Sequence, residues 1–278
     1  MIRFGMPTLI ELKSIEKTAS LCRELELDFV EFNMDLPDYQ IDRLDVARLA
    51  ETAKKYGVYY TIHLEDTAYP WNFNKRVAEG YTETVLQTIK VAKQLSVPVL
   101  NIHFHQGEYF TLPDRKAYLF EEYREEYLQK LTAFRNACEA AINEADIKIC
   151  VENTRSFSLD FVAEGIAILL ESPVFALTFD TGHNASNGFQ QQSLIERHID
   201  RLSHMHLHDH SKTRGDHLPL GEGDLELEKY LDLAQERSRS LHINCRVVLE
   251  VKTVDGLRKS VDWLKKNNYN GGNKKHEL

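Results

Sequence analysis

Residues 201–210 read RLSHMHLHDH, a segment in which every second position from 204 to 210 is a histidine. A period of two is typical of a β-strand, because successive side chains point to opposite faces of the sheet. Met205 and Leu207 would then face an apolar layer, and the histidines a polar one. The segment therefore predicts a strand that borders a hydrophobic core on one side and either solvent or a reaction site on the other.

Other apolar runs of strand length occur along the chain, and amphipathic stretches of helical period separate them. The strand candidates lie at residues 2–6, 28–33, 58–63, 98–105, 147–152, 175–180, 202–208 and 246–251. Strands that alternate with helices in this way predict a single (β/α)8 TIM barrel domain over residues 1–278. An open doubly wound sheet is the alternative, but PTLIELKS stands where its Gly-rich dinucleotide loop is expected.

Composition narrows the classes of function. The formal net charge is −9 and the pI is near 5.8, which disfavours general affinity for nucleic-acid backbones. No apolar run reaches the length of a membrane span, and the first residues lack the architecture of a signal peptide. The four cysteines are far apart in sequence and form no CxxC pair. We therefore expect a cytoplasmic protein without a cysteine zinc site.

Alternation within the strands separates residues that face the helices from residues that face the barrel lumen. In IKICVE, for example, Ile147, Ile149 and Val151 share one face, and Glu152 ends the other. In PVLNIHFH the lumen face carries Asn101, His103 and finally His105. Six strands end on a lumen-facing residue that can bind a metal, namely His63, His105, Glu152, Asp180, Glu250 and, on the histidine strand, His206 or His208.

A single histidine or glutamate at a strand end is usually solvated, but these residues converge on the carboxyl ends of parallel strands, where barrel active sites form. Crowded buried carboxylates repel one another unless a cation neutralises them. The set therefore predicts a divalent metal, and mixed carboxylate and imidazole ligands favour Mn²⁺ or Zn²⁺, with Mg²⁺ or Co²⁺ as alternatives. His183 and His217 follow the strands closely enough to be additional ligands or substrate contacts.

The motifs VENT, FDTGHN, MHLHD, HLPLGEGDL and LEV follow one another at the ends of the last four strands. In that order they resemble the xylose isomerase-like barrel superfamily, which groups sugar (phosphate) isomerases and epimerases with apurinic-site nucleases of the endonuclease IV type. The resemblance extends over nearly the whole chain, from DFVEFN through IHFHQG to the last strand.

The isomerase and epimerase pattern implies that one catalytic metal is held by Glu152, Asp180, His206 and Glu250. Glu152 and Glu250 would also transfer a proton next to the carbonyl of a small carbohydrate, through an enediolate. The same pattern implies that His183 contacts a substrate oxygen. An arginine near the histidine strand often holds substrate in such enzymes, which suggests Arg214, and Trp71 is a candidate for stacking on a sugar.

The nuclease pattern implies three zinc ions and maps onto His63, His105, Glu152, Asp180, His183, His206, His217 and Glu250. It also requires an aspartate two residues before the loop histidine, where this chain has Gly215, and the adjacent Asp216 is expected to point elsewhere. That departure and the acidic composition disfavour DNA as a partner. We expect a sugar or sugar phosphate isomerase or epimerase, with the nuclease as the alternative and a metal-binding lyase, dehydratase or non-catalytic protein left open. The sequence does not predict the sugar, the metal or the oligomeric state.

Overall fold

The computed structural model describes residues 2–240 and 245–269. The strands of the barrel are β1 (Arg3–Pro7), β2 (Phe29–Asn33), β3 (Tyr59–His63), β4 (Val99–His103), β7 (Lys148–Glu152), β8 (Phe175–Asp180), β9 (Leu202–Leu207) and β12 (Arg246–Leu249). They are all parallel and close in the order β1-β2-β3-β4-β7-β8-β9-β12, with β12 paired to β1. The predicted (β/α)8 TIM barrel is therefore confirmed.

Helices connect the barrel strands on the outside. They are α1 (Ile15–Glu24), α2 (Val46–Tyr56), α3 (Lys75–Leu95), α4 (Leu119–Glu122), α5 (Arg124–Ile142), α6 (Asp160–Leu170), α7 (Thr181–Ser186), α8 (Gln192–Arg197), α9 (Leu227–Ser240) and α10 (Val254–Lys266), with 3₁₀ turns at Pro37–Tyr39, Arg155–Ser158 and Ile199–Arg201. Side-chain caps begin several of them: the hydroxyls of Ser14 and Thr253 accept backbone N–H groups of the first turns of α1 and α10. Among the described helices, none combines the length and the apolar character that a bilayer span requires.

Alternation along β9 assigns its residues to two environments. Met205 and Leu207 are fully buried in the apolar layer between barrel and helices. His204 and His206 are also fully buried, but on the lumen side. The parallel register sets His206 beside Asp180 of β8 and Val248 of β12. The carboxyl end of β9 thus lies level with the ends of its two neighbours.

Two antiparallel hairpins extend from the carboxyl ends of barrel strands. One follows β4 and consists of β5 (Tyr109–Thr111) and β6 (Lys116–Tyr118); the other follows β9 and consists of β10 (Asp209–Ser211) and β11 (Gly215–Leu218). The buried carboxylate of Asp209 organises the loop after the second hairpin. It accepts N–H groups from His210, Gly221, Gly223 and Leu225 at 2.8–3.1 Å. This hairpin carries His217 back toward the mouth of the barrel.

Candidate metal centre and active site

Three carboxylates surround one ring nitrogen at the mouth of the barrel. His206 Nδ1 lies 3.2 Å from Glu152 Oε2, 3.1 Å from Glu250 Oε2 and 3.9 Å from Asp180 Oδ2. Glu152 and Asp180 end β7 and β8, and Glu250 directly follows β12. The structure therefore brings together the four residues that the isomerase pattern implies as ligands.

Several of these atoms are buried without a hydrogen-bond partner. Among the described residues, Glu152 Oε1, Glu250 Oε2 and both ring nitrogens of His206 have no hydrogen bond of acceptable geometry. Donor atoms that bind one cation at about 2.0–2.3 Å stand roughly 3–4 Å from one another. The separations of 3.1–3.9 Å around His206 Nδ1 match that spacing. The donor set and its geometry thus fit a divalent metal.

The carboxylates are ionised although they are buried. Burial by itself raises the pKa of Glu152, but the adjacent imidazoles of His206 and His103 outweigh it and hold that pKa well below its usual value. Burial opposes ionisation of Glu250 in the same way, and here His206 and Lys252 lower the pKa. In turn, these carboxylates raise the pKa of His206 well above its usual value, against the effect of burial. Without a cation, the site therefore favours an imidazolium at His206.

Neighbouring polar groups hold each carboxylate in place. The Asn101 amide donates to Glu152 Oε2. The backbone N–H of His183 donates to Asp180 Oδ1 at 2.6 Å, and His208 Nε2 lies 3.2 Å from Asp180 Oδ2. Lys252 Nζ donates to Glu250 Oε1 at 2.7 Å. In Glu250 and Asp180 one oxygen accepts a hydrogen bond and the other faces His206 Nδ1, whereas in Glu152 the Oε2 atom that faces His206 also accepts from Asn101.

Glu31, which the sequence analysis did not single out, lies on the far side of His206. Its Oε1 is 2.8 Å from His206 Nε2, and its Oε2 is 2.9 Å from His204 Nε2. It is 2% exposed and occupies the middle of β2. A glutamate between Val30 and Phe32, in the middle of a short strand, was the signal that could have identified it.

Two further histidines contact Glu152. His63 Nε2 lies 3.3 Å from Glu152 Oε2, and His103 Nε2 lies 3.4 Å from Glu152 Oε1. His63 Nδ1–H donates to the Leu64 carbonyl at 2.7 Å, which leaves Nε2 as the nitrogen that faces the site. His63, Glu152 and His206 together could hold a cation.

The fourth barrel strand contributes His103 and not His105, which the sequence analysis named. β4 ends at His103, and the chain then turns away from the barrel axis toward the β5–β6 hairpin. His105 Nε2 therefore meets the Asp66 carbonyl, and its ring lies 5.1 Å from Tyr69. Its expected place among the ligands is corrected, because the strand is shorter than the sequence predicts.

A third group forms where the second hairpin returns to the mouth. One ligand atom from each of His183, Asp216 and His217 lies within 4.8 Å of the others. The expectation that Asp216 points elsewhere is wrong, because left-handed backbone at Gly215 (φ +83°) and His217 (φ +55°) interrupts the strand alternation. His183 also lies beside the four proposed metal ligands, because its Nδ1 is 3.2 Å from Glu152 Oε1.

Trp71 and Arg214, which were named with His183 for substrate binding, have other contacts in the structure. Trp71 is fully buried, stacks on Phe104 at 4.7 Å and donates from Nε1 to the His105 carbonyl, so no sugar can stack on it. Arg214, in the turn between β10 and β11, forms an ion pair of 3.0 Å with Glu222 of the loop that follows β11. The assignment of Trp71 is corrected, because this residue belongs to the apolar core, whereas substrate binding by Arg214 stays a prediction.

The chain is similar to known proteins over most of its length. A sequence profile described as "Xylose isomerase-like TIM barrel" matches residues 19–267. An uncharacterized protein of Methanocaldococcus jannaschii is 23% identical over 273 residues, which cover 95% of this chain and 88% of the relative.

Two solved structures share this fold over nearly their whole length. A D-tagatose 3-epimerase-like protein superimposes with a TM-score of 0.73 at 22% identity, covering 95% of this chain and 96% of its own. A protein described as IOLI with a bound zinc atom superimposes with a TM-score of 0.73 at 14% identity, covering all of both chains. At these identities the likeness establishes the fold.

Proposed function

The chain belongs to the xylose isomerase-like TIM barrel family, and we propose that it is a divalent-metal-dependent isomerase or epimerase of a small carbohydrate. The observation that carries this proposal is the pair of buried, ionised carboxylates, Glu152 and Glu250, that face the same nitrogen of His206. The names of structural neighbours support the same class, since they include a D-tagatose 3-epimerase-like protein and an L-ribulose 3-epimerase.

Glu152, Asp180, His206 and Glu250 would hold the cation, for which the donor set suits Mn²⁺ or Zn²⁺ and admits Mg²⁺ or Co²⁺. When bound, the cation supplies Lewis-acid polarisation of the substrate carbonyl. His183 keeps a quarter of its side chain exposed beside these residues. It is thus accessible to hydrogen-bond a substrate oxygen.

Glu152 and Glu250 are the proposed proton-transfer pair. One carboxylate takes the proton from the carbon next to the carbonyl; the electron pair of that C–H bond forms the C=C bond of an enediolate, and the carbonyl oxygen becomes an oxyanion. A proton then returns to one of two carbons. Isomerisation protonates the former carbonyl carbon, while the hydroxyl proton of the neighbouring carbon moves to the oxyanion and that neighbour becomes the new carbonyl. Epimerisation protonates the opposite face of the carbon that lost its proton, and the original carbonyl forms again. Both carboxylates are ionised at neutral pH and so are ready to act as bases.

Solvent exchange tests this assignment directly. Candidate ketoses and aldoses, free and phosphorylated, are incubated with metal-loaded protein in D₂O and followed by NMR. We expect turnover with deuterium incorporated at the carbon next to the carbonyl, and a loss of about 10²–10⁴-fold in Glu152→Gln and Glu250→Gln.

The matched comparison is Asp180→Asn, whose defect should arise through metal affinity and should be partly restored by excess cation. Turnover of a true substrate without exchange, together with a fully active Glu152→Gln, would show that the proton-transfer assignment is wrong.

Metal-assisted hydrolysis of abasic DNA is a second candidate, favoured by the two further groups of possible ligands. His63 and His103 flank Glu152, and Asp216 stands beside His183 and His217. The net charge of −9 disfavours this function, because DNA binding relies on contacts with phosphates. We therefore expect the protein to act on a small carbohydrate and not on DNA.

A cleavage assay separates the two candidates. Zinc-loaded protein is incubated with a duplex that contains one abasic site, and we expect no efficient nicking. Efficient nicking that His217→Ala abolishes would instead favour the nuclease.

Location in the cytoplasm stays a prediction. It is consistent with the four cysteines, which are free and buried, because thiols stay reduced in that compartment: Cys22, Cys138, Cys150 and Cys245.

A further inference from the structure

Glu31 lies deeper in the barrel than the proposed ligands, on strand β2. Its two carboxylate oxygens face the histidine strand across the lumen: Oε1 is 2.8 Å from His206 Nε2, and Oε2 is 2.9 Å from His204 Nε2. The hydroxyl of Thr61, its register partner on β3, donates to Oε2 at 2.7 Å. A charged side chain at this depth is costly unless several donors satisfy it.

We infer that Glu31 is a positioning residue for the cation that the proposed function requires, because it holds His206 with Nδ1 toward Glu152, Asp180 and Glu250. The inference rests on the proposed function, since it concerns the same metal. It adds a residue that touches neither the metal nor the substrate in that proposal.

Glu31, His204 and His206 also lie close enough together to hold a cation, but the hydroxyl of Thr61 already donates to Glu31 Oε2. His204 Nε2 also hydrogen-bonds Oε2 at 2.9 Å, and Oε1 lies within ion-pair distance of His206 Nε2, at 2.8 Å. The atoms around His206 Nδ1 stand farther apart, at 3.1–3.9 Å. Two donors thus hold Oε2 of Glu31, and His206 Nε2 lies against Oε1, whereas the atoms on the other side of the ring have room between them for a cation.

The contact with Glu31 orients the His206 ring and favours the tautomer that carries its proton on Nε2. If Nε2–H donates to Glu31, the lone pair of the neutral ring is at Nδ1, the nitrogen that the three ligand carboxylates surround. His204 and Thr61 keep the Glu31 carboxylate from rotating, because each donates to Oε2. A carboxylate behind a ligating histidine also increases the basicity of the ring, and loss of such a partner typically costs about 10–100-fold in metal affinity.

The test measures the affinity for Co²⁺ in competition with a chromophoric chelator, and the visible spectrum of the Co²⁺ complex. We expect Glu31→Gln to bind Co²⁺ about 10–100-fold more weakly than wild type and to change the spectrum. Glu31→Asp, which keeps the charge but shortens the reach, should recover part of the affinity. Glu24→Gln is the matched control, because Glu24 is exposed on α1 and pairs with Arg258.

Thr61→Val provides a second variant in case Glu31→Gln does not fold. It removes one donor to Oε2 and should cause a smaller loss of affinity in the same direction. Wild-type affinity and an unchanged spectrum in folded Glu31→Gln, or in Thr61→Val if the former is unfolded, would overturn the inference while leaving the proposed function intact. If the wild-type protein itself does not bind Co²⁺ through His206, the proposed function fails, and the inference fails with it.

Discussion

Lys252 distinguishes the two glutamates of the site. Its ammonium group donates to Glu250 Oε1 at 2.7 Å, whereas Glu152 is surrounded by imidazoles and an amide. Burial opposes ionisation of Glu250, and His206 and then Lys252 outweigh it to lower the pKa. A change at Lys252 should therefore affect Glu250 more than Glu152.

We expect Lys252→Met to raise the pKa of Glu250 and to move the acidic limb of the profile of kcat/KM against pH upward by roughly half a unit. The shift is small because a partly exposed ion pair contributes about 0.2–1 kcal/mol, and one pKa unit corresponds to about 1.4 kcal/mol. The measurement is the pH–rate profile of metal-loaded protein.

Lys265→Met is the control, because Lys265 pairs with Glu26 at the C-terminal end of α10. An unchanged acidic limb in Lys252→Met would contradict the assignment of Glu250 as the titrating base.

Individual residues differ in how well the sequence predicts their place. The lumen positions of Glu152, Asp180 and His206 follow from strand parity, because a period of two leaves only one other face. Trp71 could not be placed in this way, since it lies between β3 and α3, where no periodicity applies. Its burial against Phe104 depends on long-range packing that a local pattern does not encode.

At the scale of elements, the β10–β11 hairpin depends on one buried carboxylate. Asp209 Oδ1 accepts from His210 and Leu225, and Oδ2 accepts from Gly221 and Gly223. No room remains for another side chain there, because a Cβ at Gly223 would lie 2.4 Å from Asp209 Oδ1.

We expect Asp209→Asn to lower the free energy of unfolding by about 2–4 kcal/mol, because an amide NH₂ would replace one oxygen and face N–H donors. The change should lower the melting temperature by roughly 5–15 °C and speed amide exchange in Gly215–Leu218. Calorimetry and hydrogen exchange measure the two effects.

Asp224→Asn, an exposed acid in the same loop, is the control and should behave as wild type. If Asp209→Asn is as stable as Asp224→Asn, the carboxylate does not hold the hairpin.

Elements were predicted well where periodicity is regular and poorly where strands end. The sequence predicted all the barrel strands, but β4 ends at His103, two residues before the predicted end. His103 and not His105 therefore contacts Glu152. The β10–β11 hairpin was missed because a left-handed residue at His217 breaks its alternation. Strand ends and hairpins depend on contacts with the loops around them, which short sequence windows do not contain.

At the scale of the whole molecule, the barrel lumen holds many ionisable groups, and binding of a metal would change their protonation. The nearby carboxylate of Glu152 raises the pKa of His63 to about 9 against the effect of burial, and the pKa of His206 is also raised. Both imidazoles are therefore largely protonated at neutral pH in the metal-free protein. A cation bound at His206 must displace a proton from that ring.

We expect metal binding to release about one to two protons at pH 7. The apparent affinity should then rise with pH up to about 9, where His63 loses its proton, and fall as the pH drops below 7. Calorimetric titration with Zn²⁺ or Mn²⁺ in buffers of different ionisation enthalpy counts the protons. An affinity that does not change between pH 6 and pH 8 would contradict this ionisation balance.

The most direct test of the central claim is the position of the metal itself. Crystals soaked in Mn²⁺ are measured for anomalous scattering, and we expect the strongest peak among Glu152, Asp180, His206 and Glu250, with ligand distances of about 2.0–2.3 Å. A well-occupied Mn²⁺ site elsewhere, with these four side chains apart and no peak between them, would contradict the account.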